Sequence, residues 1–114
     1  ILSDKNQKRA GMDYLDRLDL TRHADFAAFT AARAQNRIVL LTTKSTKTLP
    51  DFIFQPSDVL MLGRESLGVP EDVHNACAAR ITIPMAAGMR SLNVAISGAM
   101  ALGEALRQTG GFPP

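Results

Sequence analysis

Ser91 and Asn93 stand two residues apart at the end of a stretch reading Ile81-Thr-Ile-Pro-Met-Ala-Ala-Gly-Met-Arg-Ser-Leu-Asn93. A hydroxyl and a carboxamide at that spacing offer donors and acceptors to a polar ligand, or else cap the alanine-rich helix that follows. Pro84 stops a strand and Gly88 permits positive φ, so the segment is expected to be a strand, a loop of small residues and a helix opened by Ser91 as N-cap. An ordinary βα connection uses the same parts. A second stretch lies upstream, from Val59-Leu-Met-Leu-Gly-Arg-Glu-Ser-Leu-Gly-Val-Pro70. Gly63 and Gly68 have the spacing of a phosphate loop, yet Val69-Pro70 replaces the lysine and hydroxyl residue that would hold phosphate and magnesium. Glu65 stands where a dinucleotide loop needs its second glycine, which excludes that reading as well. Glu65 suits a cationic neighbour, or it caps the turn from Leu67 or pairs with Arg64.

These residues need a scaffold, and the chain supplies the pattern of one. Arg37 to Thr43 is a near-continuous leucine and β-branched run of the kind buried on both faces of a sheet. Asp58 to Leu62 reads as a second buried strand and Ala79 to Ile83 as a third. Helices are expected at Asp25 to Arg33, with Asp25 as cap and Phe26, Phe29 and Ala32 as a core face, and at about Pro70 to Ala76. Lys44 to Pro50 is a polar connection, and Leu18 to Thr21 reads as a further short strand. Strands alternating with helices give an α/β class with a parallel sheet covered by helices on both faces. In such sheets ligands bind beyond the carboxyl ends of the strands. Leu41, Gly63 and Ile83 lie at three such ends, which groups them with Ser91 as one pocket; singly, Leu41 and Ile83 also fit a core role.

Length and charge set outer bounds. The 114 residues fit one domain, and 46% apolar with 21% charged residues is a globular composition. A net charge of +2 leans only mildly towards an anionic partner. Cys77 is the sole cysteine and cannot form an internal disulfide, which fits a cytosolic, reducing compartment. No run of 18 apolar residues is present, so no membrane span is expected. His23, His74 and Cys77 lack ligand spacing, and no metal is expected. The sequence opens on Ile1 directly into a basic segment, Ser3 to Gly11, that reads as a capped helix entered from residues further upstream.

The two chemistry-bearing stretches together resemble the second and third motifs of the SpoU class of RNA ribose methyltransferases in the SPOUT superfamily. The first matches an apolar strand followed by Leu-Gly and a nearby Glu, and the second matches Ile-Pro-Met with Ser-Leu-Asn before a small-residue helix. Further phrases are similar to one branch, the TrmL-type enzymes: Lys8-Arg-Ala-Gly-Met-Asp-Tyr14, Thr21-Arg-His23, Leu41-Thr-Thr-Lys44 and Glu104-Ala-Leu-Arg-Gln108. The resemblance implies 2'-O-methylation of ribose in transfer RNA at the wobble nucleotide, with S-adenosylmethionine as methyl donor. It implies an α/β trefoil knot, with the segment around Ser91 threaded through an earlier loop, and a homodimer sharing the RNA site. Leu41, Gly63, Ile83 and Ser91 match cofactor-binding positions; Glu65 and Asn93 fall at the reacting centre, Glu65 near the sulfonium or an arginine and Asn93 on the ribose or the cofactor.

Three features depart from the family pattern. The family's first motif, Asn-x-Gly followed by an arginine usually assigned as the catalytic group, is absent from residues 1–114, so an N-terminal part is expected to precede them. Neither Arg64 nor Arg90 matches that arginine. Gly103 stands where the branch usually has a tyrosine, and Val94-Ala-Ile96 replaces a more polar run. Two other classes stay open on the sequence: a knotted dimer that binds RNA or cofactor without catalysis, and an ordinary α/β nucleotide-binding domain.

Overall fold

The fold is that of a computed structural model in which residues 19–64, 68–84 and 93–114 are described. The chain divides into two compact units, residues 1–30 and 31–114. In the first, helix α1 begins at Phe26 and runs on to Ala32. Asp25 caps it as expected, its carboxylate accepting from the Ala28 amide at 2.8 Å. His23 meets Phe29 edge to face, with ring centroids 5.3 Å apart. No residue of α1 is buried; Phe26 and Phe29 are half-buried and Ala32 is exposed, so this face is not the core that its spacing announces. Nor do Asp19, Leu20 and Thr21 form a strand; Leu20 is exposed and the segment has no sheet partner among the described residues.

The second unit is built on a parallel sheet of β1 (Ile38–Leu41), β2 (Val59–Leu62) and β3 (Ala79–Ile81), in the order β2-β1-β3. Successive strand residues face opposite sides, so burial of Ile38, Val39 and Leu40 in a row means that β1 is covered on both faces. β2 is expected to be buried in the same way, but among the described residues it lies at an edge: Val59, Leu60 and Met61 are half-buried and Leu62 is exposed. β3, on the other side, buries only Ile81 fully.

One face of the sheet is filled by Val39, Ile81, Leu49, Phe52, Phe54 and Ala101, with Leu41, Leu60, Ala79, Ile83 and Ala105 packed against them. Phe52 and Phe54 come from the connection after a short 3₁₀ turn at Leu49–Asp51 and meet edge to face, centroids 4.8 Å apart. Gln108 holds this connection from 54 residues away. Its Oε1 accepts from the Phe54 amide at 2.8 Å and its Nε2 donates to the Phe52 carbonyl at 2.9 Å. Neither phenylalanine could pack with its backbone polar groups unpaired, so the glutamine makes that burial possible.

Helix α2 (Glu71–Ala76) carries Glu71 and Asp72 in its first turn, where the helix dipole favours negative charge. Arg80 satisfies its far end by donating to the carbonyls of His74 and Cys77. Cys77 is buried beside them, and that burial pushes its thiol above the ordinary value against the opposing pull of Arg80. Helix α3 (Val94–Thr109) is capped by Asn93, not by Ser91. It ends on Gly110 in the left-handed conformation, φ 68°, where a side chain would be strained. At Gly103 a Cβ would meet nothing within 4 Å. Gly103→Ala is therefore expected to stabilise the domain by about 0.5–1 kcal/mol through helix propensity, read by denaturant unfolding.

Candidate active site

Register sets the site. Leu41 pairs with Leu62 on one side and with Ile81 on the other, so the carboxyl ends of the three strands fall in one row. Residues in one row of a parallel sheet share a face. Along that row exposure rises from Ile81, which is fully covered, through half-buried Leu41 to Leu62 at 42%. Ile83, two residues past the end of β3, is half-buried against the same core as Leu41. The result is an apolar shelf that is closed beneath and open at its β2 side.

Gly63 follows Leu62 and leads into a tight loop. Arg64 and Gly68 exchange backbone hydrogen bonds of 2.9 and 2.8 Å, which brings the chain back on itself beside Gly63. Gly68 has φ 64°, in the region glycine favours. A Cβ on Gly63 would sit 2.6 Å from the Gly68 carbonyl carbon and 2.8 Å from its oxygen, so the backbone itself occupies the place of a side chain. Both glycines are thus requirements of the loop, whatever the loop binds.

The connection after β1 wraps the end of β3. Thr42 N–H donates to the Ile81 carbonyl, Thr82 N–H to the Lys47 carbonyl and Leu49 N–H to the Thr82 carbonyl, each at 2.8–2.9 Å. Ser45 adds a hydroxyl bond to the Arg80 carbonyl at 2.7 Å. This fixes an otherwise polar, irregular segment beside the shelf.

Helix α3 approaches from the β2 side. Gly98 is a point of close approach: a Cβ there would be 2.8 Å from Leu62 Cδ1, so a side chain, not a backbone, uses the space that the glycine leaves. Asn93 lies five residues earlier, about 7.5 Å along the helix axis. Its Oδ1 accepts from the Ala95 amide at 2.8 Å and the Ile96 amide at 3.4 Å. The capping alternative for Asn93 is therefore realised, while its Nδ2 takes no part in the cap. Two residues of the expected site, Glu65 and Ser91, lie outside the described residues.

Leu41 and Ile83 thus lie against one core, Gly63 follows Leu62 at the end of the neighbouring strand, and Asn93 opens the helix that meets Leu62 at Gly98. Leu62 belongs with them but was read only as part of a strand; its place at the sheet edge, which no local pattern reports, is what opens it. The displaced ionisable groups are elsewhere. Glu104, on the distal half of α3, is held down to about 2 by hydrogen bonds first from Arg107 and then from Gln108. No histidine, aspartate or glutamate stands among the described residues at the strand ends, and no three metal-ligating side chains gather among the described residues. Chemically this edge presents half-open apolar side chains beside strand-end backbone, the surface that a flat, partly apolar ligand requires.

The pattern describing the SpoU rRNA Methylase family matches residues 1–103. A protein of Beijerinckia indica named tRNA (cytidine(34)-2'-O)-methyltransferase is 54% identical over 111 residues, which cover 96% of this chain and 69% of that protein. The protein of the same name from Escherichia coli K12 is 38% identical over 94% of this chain and 69% of its own length. Among solved structures, one described as giving insights into the 2-OH methylation of C/U34 on tRNA superposes with a TM-score of 0.88 at 37% identity, covering 98% of this chain and 74% of that one. The SpoU methyltransferase AviRb of Streptomyces viridochromogenes, solved in complex with the cofactor AdoMet, gives 0.81 at 27% identity over 92% of this chain and 44% of its own. A match over most of the chain, a relative above one-half identity and a shared parallel α/β architecture agree: the chain belongs to the SpoU rRNA methylase family.

Proposed function

We propose that residues 1–114 belong to one methyltransferase domain, of which they lack the first motif, and that this domain transfers a methyl group from S-adenosylmethionine to the ribose 2'-hydroxyl of the wobble nucleotide of transfer RNA, cytidine 34. The observation that carries the reading is the 54% identity, over 96% of the chain, to a relative named for that reaction. The shelf supports it physically. A purine has two apolar faces and a polar rim, which suits half-open Leu41, Leu62 and Ile83 beside the strand-end backbone at Gly63. Leu41, Gly63 and Ile83 would hold the adenosine portion, and Ser91 the carboxylate.

When bound, S-adenosylmethionine supplies an electrophilic methyl group on a cationic sulfonium. The residues of the chain position the two reactants. A ribose hydroxyl is a weak nucleophile and gains from orientation and from a base that takes its proton as the C–O bond forms and the methyl–sulfur bond breaks, releasing S-adenosylhomocysteine. Asn93 Nδ2, unused by the helix cap, is the donor assigned to the ribose or the cofactor, and Glu65 the negative charge assigned to the cationic side. The same reading includes a homodimer, a trefoil-knotted path around Ser91 and a cytoplasmic location. For the dimer, Ile96 and Met100, 54% and 46% exposed and one turn apart on α3, offer an apolar contact face, which light scattering tests.

The test is methyl transfer from labelled S-adenosylmethionine to transfer RNA by the full-length protein, with digestion to nucleosides. A labelled 2'-O-methylcytidine mapped to the wobble position supports the proposal; protein that binds S-adenosylhomocysteine yet leaves transfer RNA unlabelled overturns it. Asn93 permits a finer separation of roles. Asn93→Asp keeps the capping oxygen and is expected to leave stability within a few tenths of a kcal/mol, because Asp and Asn cap equally well. Its loss of the Nδ2 donor is expected to lower kcat about tenfold, one hydrogen bond's worth. Full activity in Asn93→Asp would reduce Asn93 to a cap.

A further inference from the structure

The segment between β1 and the 3₁₀ turn, Thr42-Thr-Lys-Ser-Thr-Lys-Thr48, is not used by the cofactor shelf, and it has the features of a preformed loop. Its backbone is fixed to the end of β3 at both flanks, by Thr42 to Ile81 on one side and by Lys47 and Leu49 to Thr82 on the other. Two hydroxyls pin its interior. Thr42 Oγ1 accepts from the Lys44 amide at 3.1 Å, and Ser45 Oγ accepts from the Lys47 amide at 3.2 Å while donating to the Arg80 carbonyl. Each of these bonds orders the backbone of a lysine. The lysine side chains themselves are exposed, and among the described residues neither has an acidic partner. The nearest carboxylate in sequence, Asp51, accepts from Thr48 Oγ1 at 3.0 Å. Thr43 and Thr46 add two exposed residues with hydroxyls between and beside the lysines.

A loop whose backbone is ordered and whose cations have no acidic partner among the described residues differs from an ordinary solvated charge run, whose backbone is not held in place. It stands at the carboxyl-end edge of the sheet, flanking the shelf on the β3 side. We infer that Lys44 and Lys47 form a clamp for the phosphodiester backbone of the RNA substrate, positioning the strand beside the shelf without reading its sequence. The inference rests on the proposed action on transfer RNA. Lysine suits the task because phosphate contacts of this type need charge and reach, not the planar fork of arginine. An ordered loop also presents two cations without first freezing its own backbone, which favours binding.

The experiment uses full-length protein and the variants Lys44→Gln, Lys47→Gln, the double Gln variant and the double Arg variant. Binding to transfer RNA is measured at several salt concentrations, alongside steady-state methyl transfer and calorimetric binding of S-adenosylhomocysteine. The double Gln variant is expected to bind RNA about tenfold more weakly and to lower the slope of log K against log salt by about 1.4, or 0.7 per phosphate contact in a single strand. KM for RNA should rise while kcat at saturating RNA and affinity for S-adenosylhomocysteine stay unchanged. The double Arg variant should restore binding, which a loop that merely packs on β3 would not require. Unchanged RNA affinity and salt slope in the double Gln variant, with wild type methylating normally, overturn the clamp alone. Wild type that binds transfer RNA but transfers no methyl overturns the reaction, while a salt slope lost in the double Gln variant still supports the clamp.

Discussion

Gly63→Ala is expected to destabilise the domain by about 1–3 kcal/mol and to abolish most S-adenosylhomocysteine binding, although it adds only one methyl group. The added Cβ would lie 2.6, 2.8 and 2.9 Å from the carbonyl carbon, oxygen and Cα of Gly68, all backbone atoms that have no rotamer to move away with. Relief requires the paired bonds between Arg64 and Gly68 to open, so overpacking is joined by loss of the loop closure. Opening the loop displaces the backbone next to Leu62, the open end of the proposed adenosine shelf, and at least a tenfold loss of affinity follows. Gly68→Ala is the matched control. Nothing lies within 4 Å of a Cβ at that position, so only the strain of a positive φ, about 1 kcal/mol, is expected. Thermal unfolding and calorimetry on both variants decide the matter. Equal, small effects from the two substitutions would mean that the close approach at Gly63 does not exist in solution.

The glycines illustrate what could be read before the structure was known. Gly63 and Gly68 stood out by their spacing and by the place of Gly63 after an apolar strand; the close approach of their backbones is visible only in the fold. β1 was equally legible as a strand, since an unbroken run of Ile-Val-Leu-Leu between polar segments fits one. Strand order was not in any window of sequence, and so the exposure of Leu62 was invisible: a buried and an edge strand of four apolar residues look alike. Ser91 and Asn93 are both good N-caps two residues apart, and propensity does not choose between them. Asn93 takes the position because its Oδ1 reaches the amides of Ala95 and Ile96. Phe52 and Phe54 are core residues set among Pro50, Asp51, Gln55 and Pro56, in what reads locally as a loop. Their burial depends on Gln108, a contact across more than fifty residues that periodicity does not encode. Conversely Phe26, Phe29 and Ala32 have helical spacing without a buried face. Spacing reports which residues can share a surface, and only the rest of the chain decides whether that surface is covered.

Asp58→Ala is expected to destabilise the domain by about 2–4 kcal/mol while leaving cofactor binding intact in the protein that remains folded. Asp58 and Arg37 sit at the amino ends of β2 and β1, one residue before the paired Val59 and Ile38, and so at the opposite end of the sheet from the shelf. The carboxylate takes Arg37 Nε at 2.9 Å on one oxygen; on the other it takes Arg37 Nη2 at 2.6 Å and the Gln55 amide at 2.8 Å. The guanidinium also donates to the Ile53 carbonyl and lies 5.0 Å over the Phe52 ring, which joins the pair to the core. Asp58 is only 4% exposed, so its removal strands the Gln55 amide and breaks a two-pronged ion pair; Arg37, at 28%, is partly rehydrated, which keeps the loss below that of a fully buried pair. Burial alone would raise the Asp58 carboxyl, but the hydrogen bonds from Arg37 and the Gln55 amide, with the charge of Arg37, outweigh it and hold the group below its ordinary 3.8. The folded state therefore releases this proton more readily than the unfolded chain does. Its contribution to stability is complete above about pH 5, where the unfolded group is also ionised, and disappears as pH falls through the lowered folded value. Asp58→Asn keeps an acceptor for the Gln55 amide without the charge, and in urea unfolding from pH 6 down to pH 2 it should lose less stability on acidification than wild type. Parallel acid limbs for the two proteins would remove Asp58 from the acid sensitivity of the fold and leave the pair only its packing role.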